Sequence, residues 1–268
     1  MTAEAWPLRA HDVSTPSTAR MYDYYLGGKD NYASDREAAE QVLASAPEIR
    51  RVATENRAFL GRAVQFLAGP AGIRQFIDVG AGLPTRGNVH EVAQQACPEA
   101  RIAYVDHDRV VCAHARALLS GTANVQVIEA DMHDPRSILN HQGLRTLIDP
   151  DQPVAALFIS VLHFTSDASR IVTEFRRFMA PGSYLALSHG VPEEVPGGSQ
   201  SAAKVKEVYD RSTSPTGSFR TREEILGLFE GFDLAEPGLV PVPAWRPDHP
   251  ADPDERVWLL AGVGRRTA

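Results

Sequence analysis

Five short apolar runs, separated by stretches of helical length, constrain this chain more than any other feature. The runs are Gln75–Val79, Arg101–Val105, Val125–Glu129, Val154–Ser160 and Tyr184–Ser188, each of ordinary strand length. Helical patterns lie between them, near residues 88–96, 108–119, 136–147 and 167–179. Such alternation predicts a mostly parallel sheet with helices on both faces, a doubly wound α/β fold of Rossmann-like type. A run as continuous as Ala155-Ala156-Leu157-Phe158-Ile159 fits a strand buried on both sides.

The flanks read differently. Residues 1–16 look like a loose leader. Thr18–Leu26 is helical until Gly27-Gly28 breaks the pattern. Ser34-Asp35 can cap a helix from about Arg36 to Ala44, which the Pro47 region ends. Another helix runs from about Glu48 to Leu67, with Val52, Phe59, Ala63, Phe66 and Leu67 at helical spacing. Beyond Ser188 comes a Pro/Gly/Ser loop, Pro192–Ser201, then a helix near 202–211. Thr221 and Glu224 make a Thr-x-x-Glu capping pair that starts a helix ending near Phe229. Two further strands, Phe232–Val240 and Arg256–Val263, flank a Pro- and Asp-rich loop at 246–255 and predict an antiparallel hairpin at the sheet edge. We divide the chain into an N-terminal helical extension, 1–68, and a core, 69–268, packed as one unit.

Composition excludes several roles. The chain has 268 residues, enough for one α/β domain with an extension. A formal net charge of −7 argues against nucleic acid as the main partner, since phosphate binding needs Lys and Arg. The two cysteines, Cys97 and Cys112, give neither a disulfide framework nor zinc-ligand spacing, and no metal site is expected. No apolar segment is long enough to span a bilayer and no signal-length stretch opens the chain, so a cytoplasmic protein is expected.

The chemistry concentrates after the first three strands. Phe76-Ile77-Asp78-Val79 runs into Gly80-Ala81-Gly82, a Gly-x-Gly turn of the kind that lets backbone approach a ligand. Alone this is a weak signal, since tight turns need glycine anyway. Asp106 ends the second strand, 24 positions after Gly82, where an acidic side chain can accept hydrogen bonds from ribose hydroxyls. Asp106 or Asp108 can equally cap the following helix. After the third strand, Asp131 can accept from an adenine amino group and Met132 can pack on the ring. A turn residue and a core methionine are the plain alternatives. A dinucleotide such as NAD also suits Gly80, Gly82 and Asp106. However, the third glycine of G-x-G-x-x-G is Thr85 here, behind Pro84, which weakens the pyrophosphate reading.

Taken together, the glycine turn, Asp106 and Asp131 resemble class I S-adenosylmethionine (SAM)-dependent methyltransferases. The resemblance continues through Ser160-Val161-Leu162-His163-Phe164, Phe178-Met179-Ala180-Pro181-Gly182 and Arg220-Thr221-Arg222-Glu223-Glu224-Ile225. The stretch Pro16–Tyr32, with Tyr22-Asp23-Tyr24-Tyr25-Leu26-Gly27-Gly28-Lys29-Asp30-Asn31, is similar to the opening of an actinobacterial group of S-adenosyl methyltransferases. It covers about residues 14–264. This resemblance implies a seven-stranded sheet with an antiparallel last strand, and SAM as cofactor. It puts Gly80, Ala81 and Gly82 near the amino-acid part of SAM, Asp106 at the ribose, and His107 beside the adenine. Asp131 and Met132 would meet the adenine edge and face, and Ser160 would line the site. It names no acceptor.

His163 and His189 follow strand ends on the same face and are the candidate bases, since imidazole titrates near neutrality. Either one alone is more commonly a loop histidine making a hydrogen bond. Tyr22, Tyr25, Lys29, Asp30 and Asn31 cluster at the Gly-Gly bend and read as a lid over cofactor and substrate, or as a helix packed by its aromatic face. Three functions follow: methylation of a small molecule, NAD(P)-dependent oxidoreduction, and SAM binding by a regulator without turnover.

Overall fold

The five apolar runs form five parallel strands. In this computed structural model, which describes residues 13–85, 87–191, 198–213, 219–249 and 257–267, they are β1 (Gln75–Val79), β2 (Arg101–Asp106), β3 (Val125–Glu129), β4 (Ala155–Ile159) and β5 (Tyr184–Gly190). Three more follow: β6 (Phe232–Leu234), β7 (Val240–Pro241) and β8 (Leu259–Arg266). The sheet order is β3-β2-β1-β4-β5-β8-β6, with β7 also paired to β8. Chain order therefore reverses between β1 and β4, the place where doubly wound sheets open a crevice at their strand tips.

Among the described residues, eight strands stand where seven were expected. The expected strand Phe232–Val240 is broken into β6 and β7, which share one edge of β8. Pro237 lacks an N–H for the ladder and Gly238 takes a φ of 90°. β8 runs antiparallel to both β5 and β6 and lies between them. Most of the leader, the start of the loop after Val191 and much of the loop before β8 lie outside the described residues.

The helices are α1 (Thr18–Tyr25), α2 (Ala33–Ser45), α3 (Ile49–Ala68), α4 (Val89–Ala96), α5 (Arg109–Leu118), α6 (Pro135–Leu139), α7 (Gln142–Leu147), α8 (Ala168–Phe178), α9 (Gly198–Tyr209) and α10 (Arg222–Gly227). The single helix expected at 136–147 is two. Asn140 turns back onto the Arg136 carbonyl, and the His141 ring caps α7 by accepting the Gly143 N–H.

Alternate strand residues serve the two faces. Phe76, Ile102, Leu157 and Ala186 pack under Phe59, Leu60 and Val64 of α3 and against Trp245. Ile77, Val105, Phe158 and Leu187 pack under Ile171 and Phe175 of α8. Burying each large side chain of this kind contributes about 1.5–3 kcal/mol. Helix α3 is further fixed by Arg62, which donates to the carbonyls of Val242 (2.7 Å) and Trp245 (2.9 Å).

A buried carboxylate organises the N-terminal helices. Asp35, in the first turn of α2, accepts from the backbone N–H of Ser17 (2.8 Å) and of Tyr32 (2.8 Å), and from Arg20 Nε (2.7 Å). It closes α1 and the Gly-Gly bend into one loop. A Cβ at Gly28 would overlap the Asp23 carboxylate, so any larger residue must displace Asp23.

Candidate functional site

A cavity of about 490 Å³ lies at the C-terminal tips of β1 to β4, walled on one side by α1 and α3. Its floor begins at the turn after β1. Gly80 has φ +71°, and a Cβ there would overlap the Val161 side chain. Gly82 has φ +66° with open space where its Cβ would be. The N–H groups of Gly80 and Ala81 both donate to the Val105 carbonyl (2.8 and 3.2 Å). The Gly82 N–H donates to Asp106 Oδ2 (2.9 Å), so the turn is clamped onto the end of β2. Where the third glycine is missing, Asn88 accepts the Thr85 N–H instead (3.0 Å).

Asp106 and Asp108 divide the work that the sequence left open. Asp108 caps α5 by accepting the Val110 N–H (2.8 Å), and it also receives the Ser17 hydroxyl (2.8 Å). Asp106 lines the cavity, its other oxygen held by the Asp108 N–H (2.9 Å). Burial raises its pKa, against the bonds from Asp108 and Gly82. His107 stands beside it, Nδ1 3.7 Å from Oδ1. At the tip of β3, Asp131 and Met132 line the cavity. The Oδ1 of Asp131 is taken by the His133 N–H (2.9 Å) and ring (2.7 Å). Burial raises its pKa, but these His133 bonds outweigh it and the net shift is downward.

A hydrogen-bonded chain ties α1 to the tip of β4. The Tyr22 hydroxyl donates to the Ala53 carbonyl (2.9 Å) and accepts from Asn56 Nδ2 (3.0 Å). Asn56 Oδ1 accepts the Ser188 hydroxyl (2.6 Å), and Ser188 Oγ accepts the Ser160 N–H (2.9 Å). Ser160 takes φ +52°, a conformation rare outside glycine, and lines the cavity.

The two histidines part company. His163 lines the cavity. Its Nδ1 is buried without a partner, which leaves Nε2 as the nitrogen that reaches the cavity. Burial, then the neighbouring His189 and Arg220, hold its pKa well below the usual imidazole value, so it is neutral at pH 7. His189 is fully buried and does not line the cavity. Its Nδ1 faces the Gly190 carbonyl (2.8 Å) and its Nε2 faces Arg220 (3.0 Å). With both nitrogens engaged, it is a cross-link between β5 and the residue leading to α10, not a base.

The expected residues Gly80, Ala81, Gly82, Asp106, His107, Asp131, Met132, Ser160, His163, Tyr22 and Tyr25 thus share one cavity. Lys29, Asp30 and Asn31 do not line it. Asp30 and Asn31 instead donate to Asp23 Oδ2 (3.0 and 2.8 Å), and Asp23 is the residue that faces the cavity. Sequence reasoning missed Asp78, Arg57 and Asn56. Asp78 lies two positions before Gly80, and burial pushes it up to about 7, opposed by Arg57 and reinforced by Asp106. A carboxylate closing an otherwise apolar strand was the available signal.

Among the described residues, six aspartates line the cavity, Asp23, Asp78, Asp106, Asp108, Asp131 and Asp167, against one arginine, Arg57. A SAM molecule carries a sulfonium and an ammonium alongside one carboxylate, and a cavity of acceptor carboxylates with one guanidinium suits that balance. The diphosphate of a dinucleotide would meet the same carboxylates and be repelled.

Fold and cavity define a Rossmann-like enzyme of the methyltransferase class. The chain belongs to the S-adenosyl methyltransferase family, whose profile matches residues 4–267. It is a SAM-dependent methyltransferase, and NAD(P)-dependent oxidoreduction is set aside. The chain is 43% identical to a candidate methyltransferase from Thermobifida fusca YX, with a TM-score of 0.91 over 98% of this chain and 100% of that one. It is 39% identical to a DUF574 family protein from Streptomyces avermitilis MA-4680, with a TM-score of 0.89 over 95% and 99%. An O-methyltransferase family protein from Burkholderia thailandensis shares the fold at 13% identity (TM-score 0.54, over 92% and 64%). No curated protein shows significant similarity to the chain.

Proposed function

We propose that the enzyme methylates a small molecule held beyond the tip of β4, with SAM laid across the tips of β1, β2 and β3. The observation that carries this reading is one cavity joining the clamped glycine turn, Asp106 and Asp131 to His163. Bound there, SAM would supply an electrophilic methyl group carried on a positively charged sulfur. In our reading Gly80, Ala81, Gly82 and Asp78 hold its amino-acid part. Asp106 holds the ribose, and His107, Asp131 and Met132 hold the adenine. Ser160 sits on the boundary between cofactor and acceptor.

The chain's own work is then positioning, which lowers the barrier by holding the nucleophile in line, and proton removal. His163, neutral at pH 7 through burial, takes the acceptor's proton at Nε2. Helix α1 with Tyr22 and Tyr25 covers the site and excludes water, with Asp30 and Asn31 holding Asp23 in place. The buried free thiols Cys97 and Cys112 fit a reducing, cytoplasmic setting. Actinobacterial origin, shared with the two relatives, belongs to the same reading.

Calorimetric titration with SAM and NAD tests the cofactor assignment: SAM binds and NAD does not. Failure of SAM to bind would sink the reading. A metabolite screen by mass spectrometry should yield a product heavier by one methyl. SAM binding with no such product would favour a regulator without turnover.

A further inference from the structure

The wall of the cavity beyond β4 is built differently from the wall beyond β1 to β3. Five of its side chains are aromatic: Tyr25 of α1, Phe164 after β4, Tyr209 of α9, Phe219, and Trp258 before β8. All five line the same cavity, and three of them touch in turn. The Tyr25 and Tyr209 hydroxyls meet at 3.3 Å. The Tyr209 and Phe164 rings stand 5.7 Å apart, and Phe164 lies 4.4 Å from the His163 ring. Phe219 and Trp258 close the far side over Gly190, where a Cβ would come within 3.3 and 3.4 Å of them. Glycine at 190 is what lets both rings approach. His163, beside Phe164, is neutral at pH 7, and burial raises the Tyr25 and Tyr209 hydroxyls so that they too stay uncharged there.

Resting on the methyltransferase reading, we infer that the acceptor is a neutral, flat aromatic molecule carrying a hydroxyl that faces His163 Nε2. Rings gain most from offset or edge contacts with other rings, which a planar ligand can make on several sides. A saturated ligand of equal size forfeits those contacts. An anionic acceptor, whether carboxylate or phosphate, would bring further negative charge into a cavity that, among the described residues, six aspartates already line. The 490 Å³ is shared with the cofactor, which keeps the acceptor to small-molecule size.

The test is calorimetry on the full chain saturated with S-adenosylhomocysteine. It compares 2-naphthol with decahydro-2-naphthol, of the same skeleton but not flat, and with 2-naphthoate, flat but anionic. We expect 2-naphthol to bind at least tenfold more tightly than either. Phe219→Ala should weaken 2-naphthol at least fivefold and leave the S-adenosylhomocysteine affinity within twofold. Should that variant not fold, the comparison on the unmodified protein decides. Equal binding of the three compounds, tighter 2-naphthoate, or a folded Phe219→Ala with undiminished 2-naphthol affinity overturns the inference alone. Absence of S-adenosylhomocysteine binding to the unmodified protein overturns the methyltransferase reading and this inference together.

Discussion

Asp106 accepts from Gly82 and Asp108 while facing the cavity, so its removal loosens the glycine turn as well as deleting a ligand contact. Asp106→Ala should weaken SAM binding by about 1–3 kcal/mol, read by calorimetry on a variant shown to be folded. Unchanged affinity would refute the ribose assignment. Asp78 offers a pH signature. Its pKa in the free protein is about 7, and a bound cation favours the ionised form. At pH 6 binding must expel a proton, and at pH 8 it need not. SAM affinity should therefore rise about tenfold from pH 6 to 8, and Asp78→Asn should flatten that slope. The glycines separate two physical costs. Gly80→Ala meets both an unfavourable φ and the Val161 side chain and should cost about 2–5 kcal/mol in a denaturant melt. Gly82→Ala meets only the φ cost, about 1–2 kcal/mol.

Among the elements, β5 is tied to the start of α10 by His189 and Arg220. Burial, helped by the Arg220 charge against the Gly190 bond, lowers His189 to about 4. Because the folded pKa lies below the unfolded value of about 6.5, this neutral histidine stabilises the fold fully above pH 6.5. The contribution, about 3 kcal/mol, is lost as pH falls toward 4. Melting temperature should drop over that window, and less steeply in His189→Gln. The strands from β1 to β5 were legible in the sequence because burial on both faces leaves long apolar runs. The break between β6 and β7 rests on Pro237 and Gly238 inside a run that otherwise reads as strand. The split between α6 and α7 rests on side-chain caps from Asn140 and His141, which carry little pattern. In the cavity, the cofactor side was legible because each strand tip brings its residues as a contiguous motif. The aromatic wall was not, since positions 25, 164, 209, 219 and 258 meet only after the sheet has formed.

Across the whole molecule, the N-terminal helices and the sheet share one buried interior. Met21 and Tyr25 belong to the same core as Phe76 and Leu157, and Arg20 bridges Asp35 and Asp108 (2.7 and 3.6 Å). Truncation at residue 32 should thus lower thermal stability and cofactor retention together. Loss of cofactor retention with an unchanged melting curve would show that α1 is a cover and nothing more. Arg20→Met leaves Asp35 as a buried charge without its cationic partner, held only by the Ser17 and Tyr32 N–H groups, and should cost about 3–5 kcal/mol in a urea melt. The Asp35 clasp has a kinetic corollary. Three donors on one carboxylate make residues 17–35 a preassembled hoop, so a guest entering beneath it finds a rim already ordered. Any gating must swing that hoop as a unit, and hydrogen exchange at the Ser17 and Tyr32 amides should slow or quicken in step.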